Sequence, residues 1–391
     1  MYDLVPEPGE LAVQTLAQRI AGEVLRPAAV ELDRRGGFPT ESLLALSRSG
    51  LMGVNVPRDL GGLAAGPVAY SLAVTALAHA CASTTVALCV NNMVAEVVTH
   101  FGSPDQRAAH VPRLCDGGHV VGAFALSEAS AGSDPAGMRT RARRTERGWV
   151  IDGSKLWITS GSDAGLFVVW AKTSDDPGTR GISCFLVPGD TPGLSRGKPE
   201  HKLGLCGSTT CAIEFSGCEV GPQALLDDVG RGFRVAMMAL DGGRIGIASQ
   251  AIGIGRAATQ AAASWACERY GANGVPQGVA FALADSATEL DAAALLTLRA
   301  AWLKREGRPF SHQASMAKLL ASEKAFAACN RALGMMGAQG QDCDHPVERF
   351  FRDVRVTMIY EGTSEVQRVV VSRDIARRYD ADPRSASELR L

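Results

Sequence analysis

No two of the ten cysteines are spaced CxxC, and no His or Cys cluster has the spacing of a metal site. Cys206, Cys211 and Cys218 lie closest together, on strand-like sequence without a fourth ligand, and read as reduced, mostly buried thiols. The chain has no run of about 20 uninterrupted apolar residues, which argues against a spanning helix. Its start, MYDLVPEPGELAV, has neither a basic stretch nor an apolar core of signal-peptide type, so a cytoplasmic protein is expected. A formal net charge of −1 gives no electrostatic reason to bind nucleic acid or an anionic membrane. No internal repeat is evident. What is present is size and apolar content: 391 residues, 46% hydrophobic, enough for more than one domain around a large core.

The periodicity changes twice along the chain. Residues 10–115 carry apolar side chains at helical intervals, broken by GGFP at 36–39 and PRDLGG at 57–62. The long apolar segment from Pro67 to Phe101 reads as two buried helices interrupted at Ser83, Thr84 and Thr85. From about Val120, the runs VVGAFAL, WVIDGSKLWIT, LFVVWAKT, GISCFLVP and TTCAIEFSGCEV are short and β-branched, which predicts a small antiparallel barrel or sandwich. RTRARRTERG, with five arginines, reads as an exposed strand with a polar outer face. After Gly230 helical patterning predicts segments near 231–268, 278–306, 312–336 and 364–379. The first is rich in small residues that permit close helix packing. The expected organisation is α+β: an N-terminal helical domain (1–119), a central antiparallel β-barrel domain (120–229) and a C-terminal four-helix bundle (230–391).

Three stretches carry chemistry. In RDVRVTMIYEGTSEVQR the β-branched, aromatic run Arg355–Tyr360 breaks at Gly362. Ser364 and Gln367 have capping-box spacing, so Glu361 sits in a bend just before a helix N-terminus. In AFALSEASAGSD a strand ends at Ser127-Glu128 and enters a small-residue loop able to offer N–H groups and hydroxyls to an anion or a polar ring edge. In LWITSG a two-residue period puts Trp157 and Thr159 on one side of a strand, a ring and a hydroxyl suited to a flat heteroaromatic group.

ALSEASAGSD, KLWITSG, KLGLCGSTT, LDGGRIGIASQAIGI, PVERFFRDVRVTMIYEGTSEVQR and the helix–barrel–helix order together resemble the acyl-CoA dehydrogenase family, and most of all its short-chain, butyryl-type members. The similarity covers roughly residues 10–380. It implies FAD, a homotetramer arranged as a dimer of dimers, an electron-transfer flavoprotein as acceptor, and α,β-desaturation of an acyl thioester. Glu361 matches the base and Gly362 the residue beside the thioester. Ala123, Phe124, Ala125, Leu126, Ser127 and Gly132 match the segment along the flavin ring, and Ser133 lies near the phosphates and the substrate. Trp157, Ile158 and Thr159 match the triplet behind the flavin. Thr363, Ser364 and Glu365 match the cap over its phosphate side. Asp241, Gly242, Gly243 and Arg244 match the pantetheine-contacting segment. Arg269 and Gln277 match residues that reach a neighbour's FAD, as does the stretch containing Gly334, Gly337 and Ala338.

The chain departs from the family pattern in three places. Gly334 replaces a glutamine that contacts FAD across the subunit interface, the loop after Arg269 is about three residues short, and Cys206 replaces an arginine. Gln339 is a candidate substitute amide. An acyl carrier protein thioester is an alternative substrate, because the pantetheine arm is the same on either carrier. A flavin oxidase, a monooxygenase and a non-catalytic scaffold are the further rivals, and the presence of Glu361 disfavours them.

Overall fold

The computed structural model describes residues 5–381; the expected outer limits of the first and last domains, 1–4 and 382–391, lie outside the described residues. The chain divides into two compact units after Gly243. Among the described residues no helix is long and apolar enough to cross a membrane.

The first unit begins with α1 (Pro8–Ile20), a π-helical turn (Ala21–Leu25) and α2 (Arg26–Arg35). Pro27 has no N–H to continue the ladder, and the helix passes it through the wider turn. Next come α3 (Thr40–Arg48), α4 (Gly66–Ala78), α5 (Ala82–Phe101) and α6 (Pro104–Cys115). The expected interruption at Ser83–Thr85 lies earlier, at His79–Cys81. Thr85 Oγ1 donates to the Cys81 carbonyl (2.7 Å), so these hydroxyls serve the first turn of α5 and do not break it. Inside α5, Asn91 is wholly buried. Its amide donates to the Met52 and Leu114 carbonyls and its Oδ1 accepts the Gly122 N–H, which fixes where the sheet starts.

The sheet contains β1 (Gly122–Ala125), β2 (Arg141–Thr145), β3 (Gly148–Thr159), β4 (Leu166–Lys172), β5 (Ile182–Pro188), β6 (Leu194–Arg196), β7 (Thr210–Val220) and β8 (Leu225–Leu226). Its order is β6-β7-β3-β2-β4-β5-β8, with β1 beside β4. The expected closed antiparallel barrel does not form. The end strands β6 and β8 are only three and two residues long, too short to close the ladder, and β1 and β2 both meet β4 in parallel. β1 and β2 take up successive parts of one edge of β4, so residues 126–140 must leave the sheet as a loop. On β4 and β5 the side chains are buried on both faces. Phe167, Val169, Phe185 and Val187 join the core under α1–α5, while Val168, Trp170, Ile182 and Leu186 join a second core on the other side. That burial explains why their sequence reads as a continuous apolar run. β2 is exposed at Arg141, Arg143 and Arg144 and buried at Ala142, the polar-faced strand foreseen from its sequence.

α7 (Gly232–Tyr270) runs across the division between the units. The second unit continues with α8 (Gln277–Arg305), α9 (Ser311–Met336), α10 (Pro346–Val354) and α11 (Ser364–Ala381). α9 is central and packs against α8, α10 and α11. A side chain at Gly255 would collide with Leu290 Cδ2 (2.8 Å) and Ala325 Cα (3.1 Å), the close approach that the small-residue run implied. α10 was not foreseen. Arg355–Met358, the first part of the β-branched, aromatic run Arg355–Tyr360, is a 3-10 turn that prolongs α10. Burial of Val354 and Thr357, with Thr357 Oγ1 on the Val354 carbonyl (2.6 Å), overrides their strand propensity.

Candidate active site

In the first unit the loop after β1 is held from below. Lys155 is fully buried on β3, and its ammonium donates to the Leu126 carbonyl (3.2 Å) and to Glu128 Oε1 (2.7 Å). Glu128 also accepts the N–H groups of Arg139 and Thr140. Burial alone would raise its carboxyl, but the charge and hydrogen bond of Lys155 hold it below the ordinary value. Burial lowers Lys155 to about 8 despite the pull of Glu128. Ser127 is tied to β3 by the Leu156 N–H on its carbonyl (2.9 Å).

Beyond Lys155 the β3–β7 register slips by one residue, from Lys155↔Ile213 to Ile158↔Cys211. Trp157 takes a left-handed φ of 58° there, and beyond the slip exposure alternates, with Trp157 and Thr159 accessible and Ile158 buried between them. The indole is 62% exposed. A large aromatic left open on a strained backbone, beside the accessible Ser127 and Thr159, fits a flat heteroaromatic ring. Ile158, Ala123, Ala125 and Leu126 are buried, which leaves mainly their backbone for any ligand, while Gly132 and Ser133 are exposed.

In the second unit Glu361 and Gly362 form a left-handed bend, with φ of 56° and 89°. At its φ of 89° any other residue would be strained, and a Cβ at Gly362 would lie 2.7 Å from Gln367 Nε2 and 3.2 Å from Val366 Cγ1, so glycine is favoured there. Gln367 Nε2 donates to the carbonyls of Glu361 (3.1 Å) and Gly362 (2.9 Å). Lys318 Nζ donates to the same Gly362 carbonyl at 2.6 Å. The expected Ser364–Gln367 capping box is therefore not made. Thr363 caps α11 through its Oγ1 to the Val366 N–H, because the Gln367 amide is engaged by the bend. Glu361 is half-buried, and its Oε2 is buried with no hydrogen-bond partner among the described residues. Burial pushes the carboxyl up to about 7 against the opposing charges of Arg244 and Lys318.

Glu361 thus holds a proton in the folded protein that the unfolded chain releases near pH 4.5. Its stabilising contribution is complete below that pH and is lost as pH rises through 7. Glu361→Gln should accordingly gain on the order of 2–3 kcal/mol over the wild type at pH 8 and nothing near pH 4. Urea midpoints at the two pH values measure this, and equal gains at both would contradict it.

Arg244, expected along the pantetheine arm with Asp241, Gly242 and Gly243 on α7, is buried. It donates to Ser315 Oγ (3.1 Å) and lies within electrostatic reach of Glu361. Arg269 is exposed with its guanidinium over the rings of Trp265 (5.8 Å) and Tyr270 (5.7 Å), and Gln277 is the exposed first residue of α8. Gly334 and Ala338 are exposed, and Gly337 closes α9 with φ 56°. Gln339 Oε1 accepts the Trp265 indole N–H (2.6 Å), which brings it to the same patch as Arg269. Ser364 is buried and Glu365 exposed. Lys318 and Lys155 were missed from sequence. The signal for Lys318 was its place in the stripe Ala314, Lys318, Ala321, Ala325, Ala328, Ala332, where a charge interrupts an otherwise buried helix face.

Family models match along the chain: acyl-CoA dehydrogenase N-terminal domain over residues 7–118, middle domain over 123–218 and C-terminal domain over 230–376. The chain is similar to the mitochondrial short-chain specific acyl-CoA dehydrogenase of Mus musculus, 42% identical over 96% of this chain and 92% of the relative. It is also similar to butyryl-CoA dehydrogenase from Megasphaera elsdenii (TM-score 0.93, 33% identity, 96% and 100% coverage). A chain from the structure of the electron transferring flavoprotein of Acidaminococcus fermentans aligns with TM-score 0.94, 36% identity and the same coverage. With three consecutive family domains and these relatives along nearly its full length, the chain belongs to the acyl-CoA dehydrogenase family.

Proposed function

We propose that the protein oxidises a short-chain acyl-CoA to the trans-2-enoyl-CoA, with Glu361 as the base. The observation that carries this reading is a buried carboxylate oxygen with no hydrogen-bond partner among the described residues, in a left-handed Glu361–Gly362 bend, with its proton affinity raised to about 7. A general base is most effective when its pKa lies near the working pH. FAD, when bound, supplies the two-electron acceptor for the substrate's β-hydride. The residues of the first unit that would hold it are Ser127, Thr159 and the backbone of residues 123–126, with Trp157 as the aromatic wall. Glu361 takes the α-proton as the α,β double bond forms, and its own N–H is the donor assigned to the thioester oxygen, where negative charge develops. Arg244 belongs to the base pocket, where its cation opposes protonation of Glu361.

The same reading makes the protein a homotetramer that passes electrons to an electron-transfer flavoprotein. Phe281 and Leu295 on α8 and Val369 and Ile375 on α11 are large apolar side chains left exposed, which supports oligomerisation. Arg269, Gln277 and the Gln339 amide would complete the cofactor site of a neighbouring subunit. The deciding experiment is anaerobic titration of the holoenzyme with acyl-CoAs of increasing chain length and with the same acyl groups on an acyl carrier protein. Short acyl-CoAs should bleach the flavin. Bleaching only by the carrier-protein thioester would replace the substrate assignment, and bleaching by neither would end it.

A further inference from the structure

We propose that Lys318 is a positioning residue for the base: its buried ammonium holds the Glu361–Gly362 bend through the Gly362 carbonyl and presents a fixed positive charge to the Glu361 carboxylate. This rests on Glu361 being the base. A wholly buried lysine on a helix otherwise lined with alanine is costly to desolvate, and here it makes a 2.6 Å bond to one particular carbonyl. That carbonyl also accepts from Gln367 Nε2 (2.9 Å), so two donors from two helices pin the end of a bend whose residues Glu361 and Gly362 both have left-handed backbone. Such a conformation persists only where surrounding contacts over-determine it.

The charges around the pair come from three helices and the bend. Glu361 faces Arg244 from α7 and Lys318 from α9. Lys318 faces Glu361 and Arg244, with Glu365 of α11 and Glu323 of its own helix contributing less. Burial lowers Lys318 to about 8, and Glu361 is the largest influence holding its proton on. Each group favours the charged form of the other, so removing the lysine charge makes Glu361 harder to ionise.

The two roles separate in two variants. Lys318→Gln retains an N–H donor for the Gly362 carbonyl and removes the charge, whereas Lys318→Met removes both. The measurement is the pH profile of single-turnover flavin reduction by a short acyl-CoA, with infrared titration of the Glu361 carboxyl band in the same holoenzymes. Glu361→Gln serves to assign that band. In both variants the rising limb and the infrared transition should move up by about one pH unit, an about tenfold loss of rate below the limb. The high-pH plateau should stay within about threefold of wild type in Lys318→Gln and fall tenfold or more in Lys318→Met as the base loses its position. A limb and band that stay in place in a folded variant would overturn the proposal. So would failure of both variants to yield folded flavoprotein, since Lys318 would then be a packing residue alone. Rapid flavin reduction by Glu361→Gln itself would instead refute the base assignment, which keeps the two failures distinct.

Discussion

Glu361→Gln is expected to slow flavin reduction by at least about 100-fold, and by up to about 10,000-fold, with the cofactor still bound. Glutamine has nearly the same shape as glutamate and leaves the backbone N–H in place. The bend is held by Lys318 and Gln367 acting on the carbonyls of residues 361 and 362, not on the carboxylate, so its geometry survives the substitution. What disappears is a carboxylate whose proton affinity lies near neutral pH, and among the described residues the charged groups that face it do not replace it. Arg244 and Lys318 are cations, and Glu365 is exposed and held below its ordinary pKa by hydrogen bonds to its own backbone N–H and to Thr363. Stopped-flow mixing with a short acyl-CoA, alongside enoyl-CoA binding as a check on the pocket, measures the effect. Reduction within about tenfold of wild type would be less than a general base ordinarily contributes, and the assignment would fall.

Lys155→Met should cost about 3–5 kcal/mol, the usual penalty for stranding one partner of a buried ion pair. Glu128 would keep its two backbone donors but lose its counter-charge in a site where both side chains are nearly inaccessible. Because the pair anchors the loop that carries Ser127, FAD should also dissociate more readily. The deficit should narrow in acid, where Glu128 can take up a proton and shed the buried charge. Lys155→Met combined with Glu128→Leu should recover most of the loss, since it buries no lone charge. Urea unfolding of the three proteins tests this. A single variant within about 1 kcal/mol of wild type would show that the pair contributes little.

Much of the fold was legible because helical and strand periodicities report burial on one face. The four long helices after Gly230 lie within a few residues of their expected limits, and the two buried helices before residue 101 are present. The failures share a cause. Closure of the sheet depended on the lengths of edge strands β6 and β8, which apolar patterning does not encode. Arg355–Tyr360 carries β-branched residues, yet the packing of Val354 and Thr357 makes that stretch helical. At Trp157 a bulge displaced the pairing, and no propensity marks a one-residue register slip.

The sequence by itself determined which chemical groups are available: a glutamate beside a glycine, a serine-rich loop after a strand, an indole and a threonine two residues apart. A family resemblance along most of the chain added what those groups are used for. Only the tertiary structure decided their state. Lys318 is 43 residues before Glu361 in sequence and gives no local sign of acting on the bend, yet the packing of α9 brings its ammonium to the Gly362 carbonyl. The same packing removes water from the carboxylate, which is what raises its proton affinity. Desolvation and a charge from a distant helix are properties of a folded environment, and a linear order of residues does not contain them.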